Sequence, residues 1–160
     1  MTAERGQRMA GASQADIRNL ARFRYAVRKF LRFSEEAARA TGLTPQHHQL
    51  LLGVAGFTGK GRATIGELAE FLQIRHHSVV GLIDRAEALG LVRRESNPDD
   101  LREVYISLTA DGTRKLRALA ELHRKELYGM RRSFDLLYLE GSSAARKTGK
   151  SAVAPARKRG

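Results

Sequence analysis

The stretch from Thr64 to Thr109 constrains the fold more than any other part of the chain. It reads TIGELAEFLQIRHHSVVGLIDRAEALGLVRRESNPDDLREVYISLT. Thr64 and Glu67 form a capping-box pattern, in which a hydroxyl and a carboxylate each satisfy a free backbone N–H at a helix start. Leu68, Ala69, Phe71 and Leu72 continue that helix. A short turn around Gln73 to His76 leads into a second helix ending near Leu89, with Val79, Leu82, Ile83 and Ala86 on its inner face and Gly90 as its stop. Leu91 to Ser96 is strand-like, and Asn97-Pro98-Asp99-Asp100 is a turn. Val104, Ile106 and Leu108 then alternate with Tyr105 and Ser107, the period of a half-buried strand. Two short helices followed by a hairpin make a helix-turn-helix with a β-hairpin wing. That arrangement places one helix in a major groove and a basic loop beside it.

The flanking segments are helical. From Asp16 onward, Ile17, Leu20, Phe23 or Arg24, Val27, and Phe30 or Leu31 fall three or four apart and make one apolar stripe, which Gly42 ends. Thr44 and Pro45 suit the N-cap and first position of a short, heavily apolar helix through Leu51, Leu52, Val54 and Ala55. The run TGKGR at 58–62 reads as a loop. Thr109 caps a long C-terminal helix, with Asp111 in its first turn and an apolar stripe through Leu116, Leu119, Leu127, Met130, Phe134 and Leu137. Gly129 and Gly141 weaken that helix and leave room for a break near 129–133. The expected fold is mainly α with a small β-hairpin wing (α+β). Residues 1–15 form a mobile arm, the helices at 16–41 and 110–141 flank a winged helix at about 44–109, and 142–160 is a disordered basic tail.

Charge points to the partner. Of 160 residues, 29 are Lys or Arg and 17 are Asp or Glu, giving a formal net charge of +12. Such an excess favours a polyanion. Residues 142–160 carry six cations and no acid, yet the rest of the chain is still basic. The absence of cysteine excludes disulfides and thiolate metal sites. No apolar run approaches membrane length, so the expectation is a cytoplasmic protein with no membrane partner. His47, His48, His76, His77 and His123 are poor chelators, since adjacent helical residues point about 100° apart. No metal and no cofactor is expected. GxSxG, P-loop and GxGxxG patterns are all missing, so no enzymatic function is expected.

With these elements placed, the chain resembles the MarR family of winged-helix transcriptional regulators. The carrying residues are LTPQHHQLLL (43–52), TIGELAEFLQI (64–74), SVVGLIDRAEALGLVRR (78–94), NPDDLREVYISLT (97–109) and ADGTRKL (110–116). The resemblance implies a homodimer built by the terminal helices, through Ile17, Leu20, Phe23, Leu116, Leu127, Phe134 and Leu137. Two apolar stripes larger than one small domain can cover point the same way. It further implies double-stranded DNA with a pseudo-palindromic operator as partner. Thr64, Arg75, His76, His77, Ser78, Gly81, Arg85, Asp100 and Arg102 would be the DNA-binding residues. Asp100-Leu101-Arg102 matches the family's wing motif, although relatives often place an arginine where Leu101 stands. Gly81 replaces the larger polar or basic residue many relatives carry. The implied function is a repressor released by a small-molecule effector such as an aromatic acid, whose binding residues no motif marks. The alternative is an architectural or anti-silencing DNA-binding protein with no effector.

Overall fold

A computed structural model describes residues 12–97, 100 and 103–147, with side chains as far as residue 131. The elements are α1 (Gln14–Ala40), α2 (Pro45–Leu52), β1 (Arg62–Thr64), α3 (Ile65–Leu72), α4 (His76–Ala88), β2 (Val92–Ser96), β3 (Val104–Leu108) and α5 (Ala110–Lys147). The fold is therefore mostly helical with one small antiparallel sheet, as the sequence predicts. The chain divides into two compact units, residues 30–127 and residues 1–29 with 128–160.

The unit at 30–127 holds the core. Leu50, Leu51, Val54, Leu68, Val79, Ile83, Leu91, Ile106 and Leu119 are fully buried there. Each such side chain contributes on the order of 1.5–3 kcal/mol relative to exposure. The helix boundaries follow local chemistry. The Thr44 hydroxyl accepts the His47 N–H at 3.1 Å, and Pro45 occupies the first turn of α2. Between α2 and β1 the chain widens into a π-helical turn, Gly53–Phe57. Gly53 lets Phe71 close on it: a Cβ there would stand 2.8 Å from the Phe71 ring.

The sheet has the order β1-β3-β2, with Ala63 opposite Ile106 and Arg94 opposite Ile106 from the other side. β1 corrects the sequence reading, which left residues 58–62 as a loop. Three residues are too few to display a period of two.

The hairpin is fastened at its base. The Thr109 hydroxyl donates to the Gly90 carbonyl at 2.6 Å, and the Thr109 N–H donates to the Leu91 carbonyl at 3.1 Å. The same hydroxyl accepts the Gly112 N–H at 3.0 Å, capping α5. Gly112 is obligatory, because a Cβ would meet the Leu91 carbonyl oxygen at 2.0 Å.

In the second unit, α1 begins at Gln14, within the stretch expected to be a mobile arm. Asp16 accepts from both the backbone and the hydroxyl of Ser13, which lowers its pKa. α5 runs unbroken through 129–133 and past residue 141 to Lys147, so the helix outlasts the boundary expected at 142. Residues 1–11 and 148–160 lie outside the described part. Among the described residues no helix is long and apolar enough to cross a membrane.

Candidate nucleic-acid interface

The candidate surface is built by three element starts. The capping box is complete: Thr64 Oγ1 accepts the Glu67 N–H at 3.2 Å, and Glu67 Oε2 accepts the Thr64 N–H at 2.8 Å. α3 closes on Gln73 in the left-handed region, φ +54°, and Gln73 Nε2 donates to the Glu70 carbonyl at 2.7 Å. The side chain thus helps hold a turn that glycine would adopt without cost. Arg75 then starts α4, its carbonyl accepting the N–H groups of Ser78 and Val79, with no side chain capping the helix.

On α4 the burial of Val79, Leu82, Ile83 and Ala86 turns the opposite side outward. Arg75, His76, His77, Ser78 and Arg85 are all exposed, as expected, and Gly81 is half-buried. A Cβ at Gly81 would lie 3.5 Å from Arg85 Nη1. The guanidinium therefore lies back over the glycine, four residues toward the start of the helix.

Thr64, His76 and Asp100 come together on an open cleft of about 470 Å³, with Ile65, Gly66, Glu103 and Val104 completing its wall. The cleft joins the start of α3, the start of α4 and the base of the wing. At that base the Asn97 N–H donates to the Glu103 carbonyl and the Glu103 N–H to the Asp100 carbonyl, both at 3.0 Å. Asn97 Nδ2 also donates to Glu103 Oε2 at 2.8 Å. Arg102 lies outside the described residues.

Two arginines missed from sequence shape this surface. Arg94 on β2 reaches back to α4, where Nη2 pairs with Asp84 Oδ1 at 2.5 Å and Nη1 with Glu87. Its backbone N–H donates to Glu87 Oε1 at 3.2 Å. The hydrogen bond to Asp84 leads in holding its pKa above the usual guanidinium value. Two acids three apart on α4, followed by a cation in the next strand, were the available signal. Arg62 on β1 stacks over the Tyr105 ring with its guanidinium carbon 4.1 Å from the centroid. That contact depends on β1, which the sequence did not disclose. Nearby, Glu95 accepts from Ser107 Oγ and Arg93 Nε, each at 2.7 Å.

Of the expected dimerisation residues, Ile17, Leu20, Phe23 and Leu127 are exposed, each at roughly half of full accessibility. Leu116, by contrast, is 8% exposed and packed in the chain's own core with Leu119. The side chains of Phe134 and Leu137 lie outside the described residues.

Residues 41–103 match the model of the MarR family. Over those residues the chain is similar to the MarR family. The match runs from the end of α1 to the base of the wing. Two curated proteins are also similar to the chain. One is the uncharacterized HTH-type transcriptional regulator YcgE of Bacillus subtilis (strain 168), 36% identical over 84 residues, 52% of this chain and 53% of that one. The other is the transcriptional activatory protein BadR of Rhodopseudomonas palustris, 29% identical over 93 residues, 58% of this chain and 53% of that one. The chain thus spans about half the length of the curated relatives it matches. The crystal structure of AbsC, a MarR family transcriptional regulator from Streptomyces coelicolor, shares the fold. Its TM-score is 0.64 at 23% identity, over 88% of this chain and 93% of that one.

Proposed function

We propose that this protein is a MarR-family, homodimeric, sequence-specific DNA-binding transcriptional regulator. The observation that carries the reading is the cleft where Thr64, His76 and Asp100 meet beside the exposed face of α4. Hydroxyl, imidazole and guanidinium groups on one convex helix face can reach base edges and phosphates together. Arg75, His77, Ser78 and Arg85 extend that face, and Arg102 would carry the wing toward the backbone or minor groove. The dimer reading rests on apolar side chains left exposed, namely Ile17, Leu20 and Leu127. Each would stabilise an interface by about 1.5–3 kcal/mol if fully covered.

The finer reading is a repressor of pseudo-palindromic operators, released when a small aromatic acid binds the DNA-incompetent shape more tightly. It rests on the family resemblance. The activatory name of the BadR relative makes the sign of regulation a point for experiment.

Selection of bound sites from random duplex DNA tests the main reading. The expected product is a two-fold symmetric motif bound far more tightly than random duplex of equal length. Equal affinity for both returns the architectural alternative. A screen of small acids for release, with a reporter for sign, then tests the finer reading.

A further inference from the structure

Gly81 has no place in the fold that requires a glycine. Its φ lies outside the left-handed region. A Cβ built on it would find Arg85 Nη1 at 3.5 Å, an ordinary van der Waals contact. Beyond its own helix backbone and chain neighbours it would meet nothing else within 4 Å among the described residues. Gly53 and Gly112 differ, since a Cβ there would meet the Phe71 ring at 2.8 Å and the Leu91 carbonyl oxygen at 2.0 Å. Gly81 also lies well inside α4, where glycine is less favourable than alanine because it gives the unfolded chain more freedom. Folding alone would thus prefer alanine, and the bare position calls for a reason outside the chain.

Its position supplies one. His77, Gly81 and Arg85 follow one another at intervals of four, so they share an arc of about 80° with the glycine at its centre. His77 and Arg85 are exposed, and their backbones stand about 12 Å apart along the helix axis. Between them the helix surface is a notch with a half-buried floor. The N–H and carbonyl of an interior helical residue are hydrogen-bonded to the residues four before and four after. The floor therefore offers the Cα methylene and no spare donor or acceptor. The rims are polar, an imidazole on one side and a guanidinium drawn in to the lip on the other.

We infer that Gly81 seats the 5-methyl group of an operator thymine in the major groove, which makes it a specificity-determining residue. Guanine, cytosine and adenine present hydrogen-bonding groups there, and leaving one unpaired against a bare methylene is unfavourable. The thymine methyl is the apolar group of that groove. It has the size of the alanine Cβ that the notch lacks, and it needs no partner from the floor. The inference rests on the proposed function, which turns this face of α4 to the base edges.

The test uses the full chain and the operator selected from random duplex. Each thymine in turn is replaced by deoxyuridine in both half-sites, which removes only the methyl group. One thymine should stand out, its replacement weakening wild-type binding about fourfold per methyl, the worth of one buried methyl group. Gly81→Ala should melt roughly 2–4 °C higher. It should bind the thymine operator less tightly than the wild type and bind the thymine and uracil forms equally, because its own methyl fills the notch. Tolerance of uracil at every position by the wild type overturns the inference and leaves the α4 reading standing. Weaker binding by Gly81→Ala with the thymine-to-uracil ratio retained also overturns it, and makes the glycine a space for the Arg85 side chain instead. Should the wild type show no preference for the operator over random duplex, the regulator reading fails and the inference falls with it.

Discussion

Two pairs of adjacent histidines occupy the same kind of place and meet opposite fates. His47-His48 and His76-His77 both lie in the opening residues of a helix, α2 and α4 respectively. The first pair is buried, at 6% and 1% exposure, while the second is exposed throughout. The difference comes from their neighbours. In α2 the pair is followed within the helix by Leu50 and Leu51, which are buried with it, whereas α4 buries Val79, Leu82, Ile83 and Ala86 and turns its other face outward. His48 stacks 4.8 Å from His123, which Phe30 and Phe33 meet edge-on. His123 Nδ1 lies 2.7 Å from the Leu119 carbonyl, an acceptor only, so Nδ1 carries the proton and donates. Nε2 then accepts from the Ser34 hydroxyl at 2.8 Å. His48 Nδ1 and His47 Nε2 are buried with no hydrogen-bond partner among the described residues. One pair therefore belongs to the core, and the other lies on the surface proposed for recognition.

The largest expected effect is acid sensitivity of the buried pair. Burial first, and the neighbouring His123 second, push His48 down from 6.5 to about 4. Burial and then Arg85 lower His47 in the same direction. The unfolded chain takes up a proton near 6.5 that the folded chain refuses until about 4, so His48 favours the unfolded state progressively as pH falls through that window. The loss is on the order of 3 kcal/mol at about 1.4 kcal/mol per unit. Urea melts at pH 7 and pH 4.5 measure it, and His48→Leu should flatten the dependence. A variant with the wild-type acid profile would remove His48 from this role.

Next in size is Arg85→Ala on the face proposed for recognition. It should weaken operator binding by about 1–3 kcal/mol, the range of a lost base contact, with no change in the melt. Fluorescence anisotropy and a thermal scan separate the two. Arg102→Ala should cost less than Arg85→Ala, and a larger loss would shift the main contact to the wing.

Arg94→Met should cost about 1 kcal/mol of stability, because it leaves Asp84 and Glu87 without their shared cation at a half-exposed site. Binding should fall with it as α4 loses its brace. Unchanged binding would show that α4 is positioned by its apolar face alone.

The smallest effect belongs to His76→Gln/His77→Gln. Stability should stay within about 0.5 kcal/mol, as for other surface changes. Operator affinity should fall by roughly 1 kcal/mol, the worth of an ordinary hydrogen bond. A shifted melt with unaltered affinity would reverse the division between the two pairs.

Features governed by neighbours in sequence were legible. The Thr64–Glu67 box, the Thr44-Pro45 start, the stop at Gly90 and the alternation through Ile106 all depend on contacts within a few residues. What escaped depends on distant ones. β1 exists because β3 offers Ala63 a partner at Ile106. The burial of Leu116 in the core is likewise a matter of packing that its helical period alone does not show. Gly129 costs only about 1 kcal/mol against alanine, too little to stop a helix spanning Ala110–Lys147. The Arg94 clamp joins two elements whose approach no local pattern announces. For the site, exposure of the α4 face followed from its apolar period, but the meeting of Thr64, His76 and Asp100 required the fold.

The fastening of Thr109 to Gly90 and Leu91, with Gly112 against the same carbonyl, bears on how such a protein can be altered. The chain leaves and re-enters the body at one point, so the hairpin between is a cassette with fixed ends. The strands of that cassette are not free to vary. Val92 and Ile106 lie in the core and Arg94 braces α4, so a foreign hairpin joined at Leu91 and Thr109 must keep all three. The glycine at 112 must stay beneath it.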